Sequence, residues 1–344
     1  MKILYVEDEL STNIPKIIRL FQKYLGDKNV SKLQKLEEDE YGASPQEIKE
    51  IIDSSDIVRA EYNFEDALLQ VLKYSDHYSL FIVDRNLTKE GYSLEKIQNI
   101  DNDFDEKLLD KYCEREGDYL LEKLAYKGIV IKEKFYFLTA YSASELPNKN
   151  EISQHISLKQ FKESNIIDKS KNEDFKELIQ KINNIKILNL HLENKKYIDI
   201  LRSKIKGNSS YNFIQLLQKK DDGSPTAIAM NLGTLRKILE NILILIAKKK
   251  DAPEDCWNEK NKNQIVMRNV IYWIFHDDDE KHEKNYRFGS NIIIKNAFYN
   301  IMGIGSDFGS HSKNTSDNFE PTTDTVNSLV YQLKDLILWV DGIG

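Results

Sequence analysis

Five short apolar runs, each followed by a stretch with helical spacing, constrain this chain more than any other feature. The runs lie at residues 1–6, 56–62, 79–83, 134–138 and 164–167. Each is of strand length, and helices usually need ten or more residues. Residues 79–83 are largely apolar, as a strand covered on both faces requires. Residues 13–25 place Ile14, Ile17, Ile18, Phe21 and Leu25 at helical intervals and close at Gly26. Residues 64–74 repeat the pattern with Ala67, Leu68, Val71 and Leu72, and residues 117–126 with Leu120, Leu121 and Leu124. Residues 175–188 carry apolar side chains at 175, 178, 179, 182 and 185. Strands joined through helices predict an α/β fold: a doubly wound, five-stranded parallel sheet with helices on both faces. Two charged stretches, 27–54 and 88–115, read as insertions rather than core, the first with some helix.

The residues that end these strands carry the chemistry. Glu7 and Asp8 follow the first strand, Asp84 the third, Thr139 the fourth and Lys169 the fifth. In an open parallel sheet, ligands bind in the crevice beyond the carboxyl ends of the strands. The topology therefore predicts three carboxylates, a hydroxyl and an ammonium in one place. Clustered carboxylates repel one another unless a cation sits between them. A hard divalent ion with oxygen ligands, Mg²⁺ above all, meets that need. Asp84 is then placed to act as a nucleophile toward phosphorus. A bound cation and Lys169 would neutralise phosphoryl charge.

These stretches resemble the receiver domains of two-component response regulators. The matching segments are Ile3-Leu4-Tyr5-Val6-Glu7-Asp8-Glu9, Leu80-Phe81-Ile82-Val83-Asp84-Arg85-Asn86-Leu87, Gly117-Asp118-Tyr119-Leu120-Leu121, Phe137-Leu138-Thr139-Ala140 and Ile166-Ile167-Asp168-Lys169-Ser170. The resemblance covers residues 1–188, and it implies a flavodoxin-like fold with Asp84 as phosphoacceptor. It further implies Glu7 and Asp8 as the metal-holding acids, Asn86 as donor of a backbone carbonyl to the metal, Thr139 as switch hydroxyl and Lys169 as phosphate-contacting base. A sensor histidine kinase or a small phosphodonor would be the partner. Phosphorylation would alter contacts with the rest of the chain or with a dimer partner. Three positions depart from the family pattern. Ser170 stands where a Pro usually follows the Lys, Thr88–Lys89 supply no Pro after the phosphoacceptor, and Ile166 replaces the switch aromatic.

Residues 189–344 read as a mainly α-helical output domain. Helices are expected over 195–205, 208–220, 226–250, 264–275, 292–302 and 325–340, with a turn at Asp221-Asp222-Gly223-Ser224-Pro225. The phrase Leu235-Arg236-Lys237-Ile238-Leu239-Glu240 resembles the central helix of HEPN-type and abortive-infection helical domains, and Arg236 and Glu240 share a face. Some HEPN proteins are ribonucleases with an Arg-x4-6-His motif. Seven residues separate Arg268, which Asn269 follows, from His276, one more than that motif allows, and His311 follows in a glycine-rich loop. A receiver-gated ribonuclease or RNA-binding effector is thus an alternative reading, and a receiver that never takes phosphate is another. The run Asp277-Asp278-Asp279-Glu280 between His276 and His282 reads as a solvated loop, and Lys248-Lys249-Lys250 as a helix-end charge cluster.

Composition narrows the classes further. A net charge of -7 argues against a broadly basic nucleic-acid surface. No DNA-reading helix-turn-helix stands out, so RNA is the better-supported nucleic acid. Cys113 and Cys256 lie far apart without a CxxC, so no disulfide framework or zinc site is expected and a reducing cytoplasm fits. Acids follow the first apolar run at once, unlike a secretory signal, and no window predicts a membrane span.

Overall fold

The computed structural model describes residues 2–38, 42–140, 161, 163–205, 207–275, 291–309 and 320–343. These fall into two compact units, residues 1–189 and 190–344. The first is built on strands β1 (Lys2–Val6), β2 (Val58–Glu61), β3 (Tyr78–Val83), β4 (Phe135–Thr139) and β5 (Ile166–Asp168). All pair in parallel, in the order β2-β1-β3-β4-β5. This is the flavodoxin-like order, in which the winding reverses between β1 and β3.

Side-chain alternation assigns each residue its layer. Leu4, Val6, Phe81, Val83, Phe135 and Phe137 face the helices α4 (Phe64–Tyr74) and α7 (Glu116–Tyr126), meeting Phe64, Leu68, Leu120 and Leu124. On the other face Tyr5 lies edge-on to Phe21 of α1 (Ile14–Leu25), with ring centroids 5.2 Å apart. Tyr24 of α1 donates to the Ile182 carbonyl in helix Asn172–Asn183 at 3.0 Å, closing that layer. β3, in the middle of the sheet, is buried at every residue.

The two charged stretches differ from the expectation of excursions outside the core. Residues 27–54 hold α2 (Asp27–Glu37) and α3 (Pro45–Asp53), which bury Val30, Leu33, Ile48 and Ile52. Helix α3 seals the outer edge of β2. Asp53 accepts from the Ala60 N–H at 2.8 Å, Lys49 donates to the Ala60 carbonyl at 2.6 Å, and the Ser55 hydroxyl accepts from the Val58 N–H at 3.0 Å. Side chains thus satisfy backbone groups that an open edge would offer to another strand. Residues 88–115 hold α5 (Leu94–Ile100) and α6 (Glu106–Tyr112). Ile97, Phe104 and Tyr112 join the cluster around Phe64 and Tyr119, and Phe104 meets Tyr119 edge-on at 4.9 Å. A few apolar residues at helical spacing suffice for a one-sided helix, and surrounding charge hides them from a composition reading.

The second unit is built around the 25-residue helix Pro225–Lys249. Ser224 caps it by accepting from the Ala227 N–H, with Pro225 in the first turn. Leu232, Leu235, Ile238, Leu239, Ile242, Leu243 and Ile246 are buried. Helices Ser209–Lys219, Met267–Phe275, Ile292–Gly309 and Thr323–Asp341 pack against it. Three details differ from the sequence expectation; the first is that the helix expected to end at 302 runs on to Gly309, through residues read as a glycine-rich loop. A small antiparallel hairpin, Trp257–Asn258 with Asn261–Ile265, takes the start of the segment expected to be helical from 264. The helix expected over 175–188 is two, Asn172–Asn183 and Lys186–Glu193. Among the described residues, no helix is long and apolar enough to cross a membrane.

Candidate functional site

Register brings the strand ends together. Val6 pairs with Val83, and the Asp84 N–H donates to the Val6 carbonyl at 2.8 Å, so Glu7 and Asp84 leave neighbouring strands at one level. Thr139 pairs with Asp168, and the Lys169 N–H donates to the Thr139 carbonyl at 2.8 Å. Carboxylate oxygens of Glu7, Asp8 and Asp84 lie within 4.8 Å of one another, and all three residues are buried. Lys169 Nζ stands 2.6 Å from Glu7 Oε2 and 2.5 Å from Asp84 Oδ2. Its side chain is itself only 8% exposed, so solvent screens these contacts little.

Each acid is held separately. The Arg85 N–H donates to Asp84 Oδ1 at 2.6 Å, the Lys89 N–H to Asp8 Oδ2 at 2.9 Å, and the Tyr5 hydroxyl lies 3.4 Å from Glu7 Oε2. Burial, joined by the charge of Asp84, pushes the Glu7 carboxyl up to about 8 despite the pull of Lys169. Burial also raises Asp8, against the Lys89 hydrogen bond that favours its ionised form. For Lys169 burial works downward, but Glu7 and Asp84 outweigh it and hold the ammonium above its ordinary value. Three carboxylates against one ammonium leave an excess of negative charge, with hard oxygen donors close enough to share a small cation. The donor set fits Mg²⁺, with Glu7, Asp8 and Asp84 as the residues that would hold it.

Asn86 sits in the turn after β3, where its side-chain oxygen accepts from the Thr88 N–H at 3.1 Å and the Thr88 hydroxyl at 2.6 Å. This local turn closes through Thr88 without a Pro. A similar one follows β5, where Asp168 accepts from both the N–H and the hydroxyl of Ser170. Thr139 is the buried last residue of β4.

Several residues around the site escape a reading of strand ends. The guanidinium of buried Arg85 pairs with buried Asp118, Nε to Oδ1 at 3.1 Å and Nη2 to Oδ2 at 3.1 Å, and Arg115 Nε also donates to Asp118 Oδ2. Gly117 lets α7 lie directly on the Asp84–Arg85 backbone. A Cβ there would overlap the Asp84 carbonyl oxygen and lie 2.9 Å from Arg85 Cα. The signal available in the sequence was an arginine two residues past an apolar strand, with a Gly-Asp pair opening a later helix.

In the second unit, Arg236 and Glu240 lie one turn apart on Pro225–Lys249. Arg236 lines the crossing with Ile292–Gly309, where a Cβ on Gly305 would sit 3.0 Å from that of Arg236. Arg268 is exposed on Met267–Phe275, and Asn269 donates to the Asp255 carbonyl. Lys248 and Lys249 form the basic last turn of their helix, and Lys249 donates to the Ile343 carbonyl. His276, Asp277–Glu280, His282 and His311 lie outside the described residues. No family model, curated protein or solved structure matches the chain.

Proposed function

We propose that residues 1–189 form a phosphoacceptor receiver of the two-component response-regulator type, phosphorylated on Asp84 with Mg²⁺ as cofactor. One observation carries this reading. Glu7, Asp8, Asp84 and Lys169 converge from three strand ends, with three carboxylates sharing a space the size of one cation. A structural salt bridge needs one carboxylate per ammonium, whereas phosphoryl transfer to a carboxylate uses the surplus. An Asp84 oxygen would attack phosphorus in a phosphohistidine of a sensor kinase or in a small acyl phosphate. The new O–P bond forms as the bond to the leaving nitrogen or oxygen breaks, and the leaving group keeps that electron pair. Bound Mg²⁺ supplies charge neutralisation for the phosphoryl oxygens. Glu7, Asp8, Asp84 and the Asn86 carbonyl would hold it. Lys169, already on Asp84 Oδ2, would exchange that contact for a phosphoryl oxygen. Thr139 would donate its hydroxyl to another and so register the modified state. The helical unit, residues 190–344, would be the output, in a cytoplasmic protein acting alone or as a homodimer.

The test is direct. Incubated with Mg²⁺ and acetyl phosphate, the wild-type chain should gain the mass of one phosphoryl group, and Asp84→Asn should gain none. Absence of an adduct in wild type, or an equal adduct in Asp84→Asn, refutes the assignment.

A further inference from the structure

Glu116 is the least expected charged group in the first unit. It is fully buried and opens α7, yet no lysine or arginine is paired with it among the described residues. Both of its oxygens are nevertheless in use. Oε2 accepts from the Leu87 N–H at 3.1 Å, and Oε1 accepts from the Tyr92 hydroxyl at 2.8 Å and the Glu114 N–H at 3.0 Å. Leu87 and Tyr92 flank the start of the 88–115 segment and Glu114 lies at its end, so one carboxylate buckles the two together. Glu114 has a positive φ of 60°. A non-glycine residue holds that conformation only where its surroundings enforce it. A buried carboxylate without a cation requires such donors, and it gains further from the helix N-terminus it occupies.

The Leu87 N–H shares a peptide unit with the Asn86 carbonyl. The bond is trans and planar, so the two groups point in opposite directions. Whatever fixes the N–H therefore fixes the carbonyl. The preceding turn is pinned as well: the Gly117 N–H donates to the Arg85 carbonyl at 3.0 Å, and the Asn86 side chain is tied to Thr88. We propose that Glu116 is a positioning residue for the cation site: by holding the Leu87 N–H from behind, it aims the Asn86 carbonyl at the space shared by Glu7, Asp8 and Asp84. A buried carboxylate on α7 would thereby do in this chain what a rigid proline does for such a turn, fixing backbone direction without touching the ligand. The inference deepens the receiver reading and rests on it.

Three versions of the full chain test it by calorimetric Mg²⁺ titration: wild type, Glu116→Gln and Tyr92→Phe. Glu116→Gln keeps the volume but offers one acceptor oxygen for the N–H groups of Leu87 and Glu114, so an amide NH2 faces one of them and the buckle opens; Mg²⁺ binding should weaken by about 10–100-fold, as lost outer contacts to metal ligands do. Tyr92→Phe removes a donor to the same carboxylate but leaves the Leu87 bond, and should bind Mg²⁺ as wild type does. Equal affinity in wild type and Glu116→Gln overturns the proposal. So does equal weakening in both variants, which would mean general loosening. A measurement on wild type alone covers the case in which Glu116→Gln does not fold. The Asn86 carbonyl ¹³C resonance should shift on Mg²⁺ addition, and a resonance that stays put through saturation overturns the role. These outcomes are separable from failure of the receiver reading. That failure shows as no phosphoryl adduct on Asp84 in wild type, whatever Glu116 does.

Discussion

Gly117 and Arg85 show how much of the site depends on residues that never touch a ligand. With only hydrogen at its Cα, Gly117 admits the Asp84 carbonyl oxygen and the Arg85 backbone. Gly117→Ala must push α7 off β3, and overpacking of that kind costs about 1–3 kcal/mol. Denaturant unfolding followed at a unit 1 probe should report the loss, together with a weaker Mg²⁺-dependent adduct; wild-type values for both would show that α7 moves freely. Asp118→Ala removes the carboxylate paired with the buried Arg85 guanidinium, and breaking a buried pair in this way costs about 3–5 kcal/mol, read in the same unfolding curve. The two cysteines make a separate prediction about pH. Cys113 is exposed, whereas burial pushes the Cys256 thiol up to about 12 from its ordinary 9. The folded state keeps that proton when the unfolded chain has lost it. Cys256 therefore lowers stability as pH climbs from 9 toward 12 and is neutral to stability below 9. At pH 8 iodoacetamide should label Cys113 quickly and Cys256 only on unfolding, so rapid labelling of both by mass spectrometry would contradict the burial.

At the scale of elements, the two charged stretches matter most. Helix α3 ends a parallel sheet whose outer strand would otherwise present open N–H and C=O groups. Asp53→Ala leaves the Ala60 N–H without its acceptor, a loss of about 1–3 kcal/mol for a buried donor. It should also make the protein associate as concentration rises. Light scattering identical to wild type, with unchanged stability, would mean that the edge is protected by something other than these side chains. The segment with α5 and α6 works differently. It fills the core beside α4 and α7, and at its two ends it meets the site through Lys89 on Asp8 and through Glu116. A stretch that reads as an acidic excursion is thus tied at one end to Asp8 and at the other, through Glu116, to Leu87.

For the molecule as a whole, the two units carry separate cores and separate reporters. All three tryptophans, Trp257, Trp273 and Trp339, belong to residues 190–344, so tryptophan fluorescence follows that unit alone. Leu239 is fully buried on the long helix. Leu239→Ala should cost about 2–5 kcal/mol in a fluorescence-detected unfolding curve, while the chain still takes a phosphoryl group on Asp84. A variant that lost the adduct along with the helical core would show that the first unit needs the second to fold.

Sequence alone determined the alternation of strands and helices, and with it the parallel sheet and the residues at its strand ends. Both are set locally, by side-chain periodicity and by where each apolar run stops. It did not determine which charged stretches belong to the core, because Leu33, Ile52 and Phe104 gain their meaning from partners distant in the chain. Nor did it reveal Glu116 or the Arg85–Asp118 pair, whose roles depend on where the N-terminal end of α7 comes to rest. Asp84 is a candidate nucleophile from its place at a strand end. What tertiary structure decided is its setting: two more carboxylates and Lys169 within reach, Arg85 N–H on one oxygen, and Gly117 against its carbonyl. Those contacts join residues far apart along the chain, and only the packing of the sheet and its helices fixes such distances.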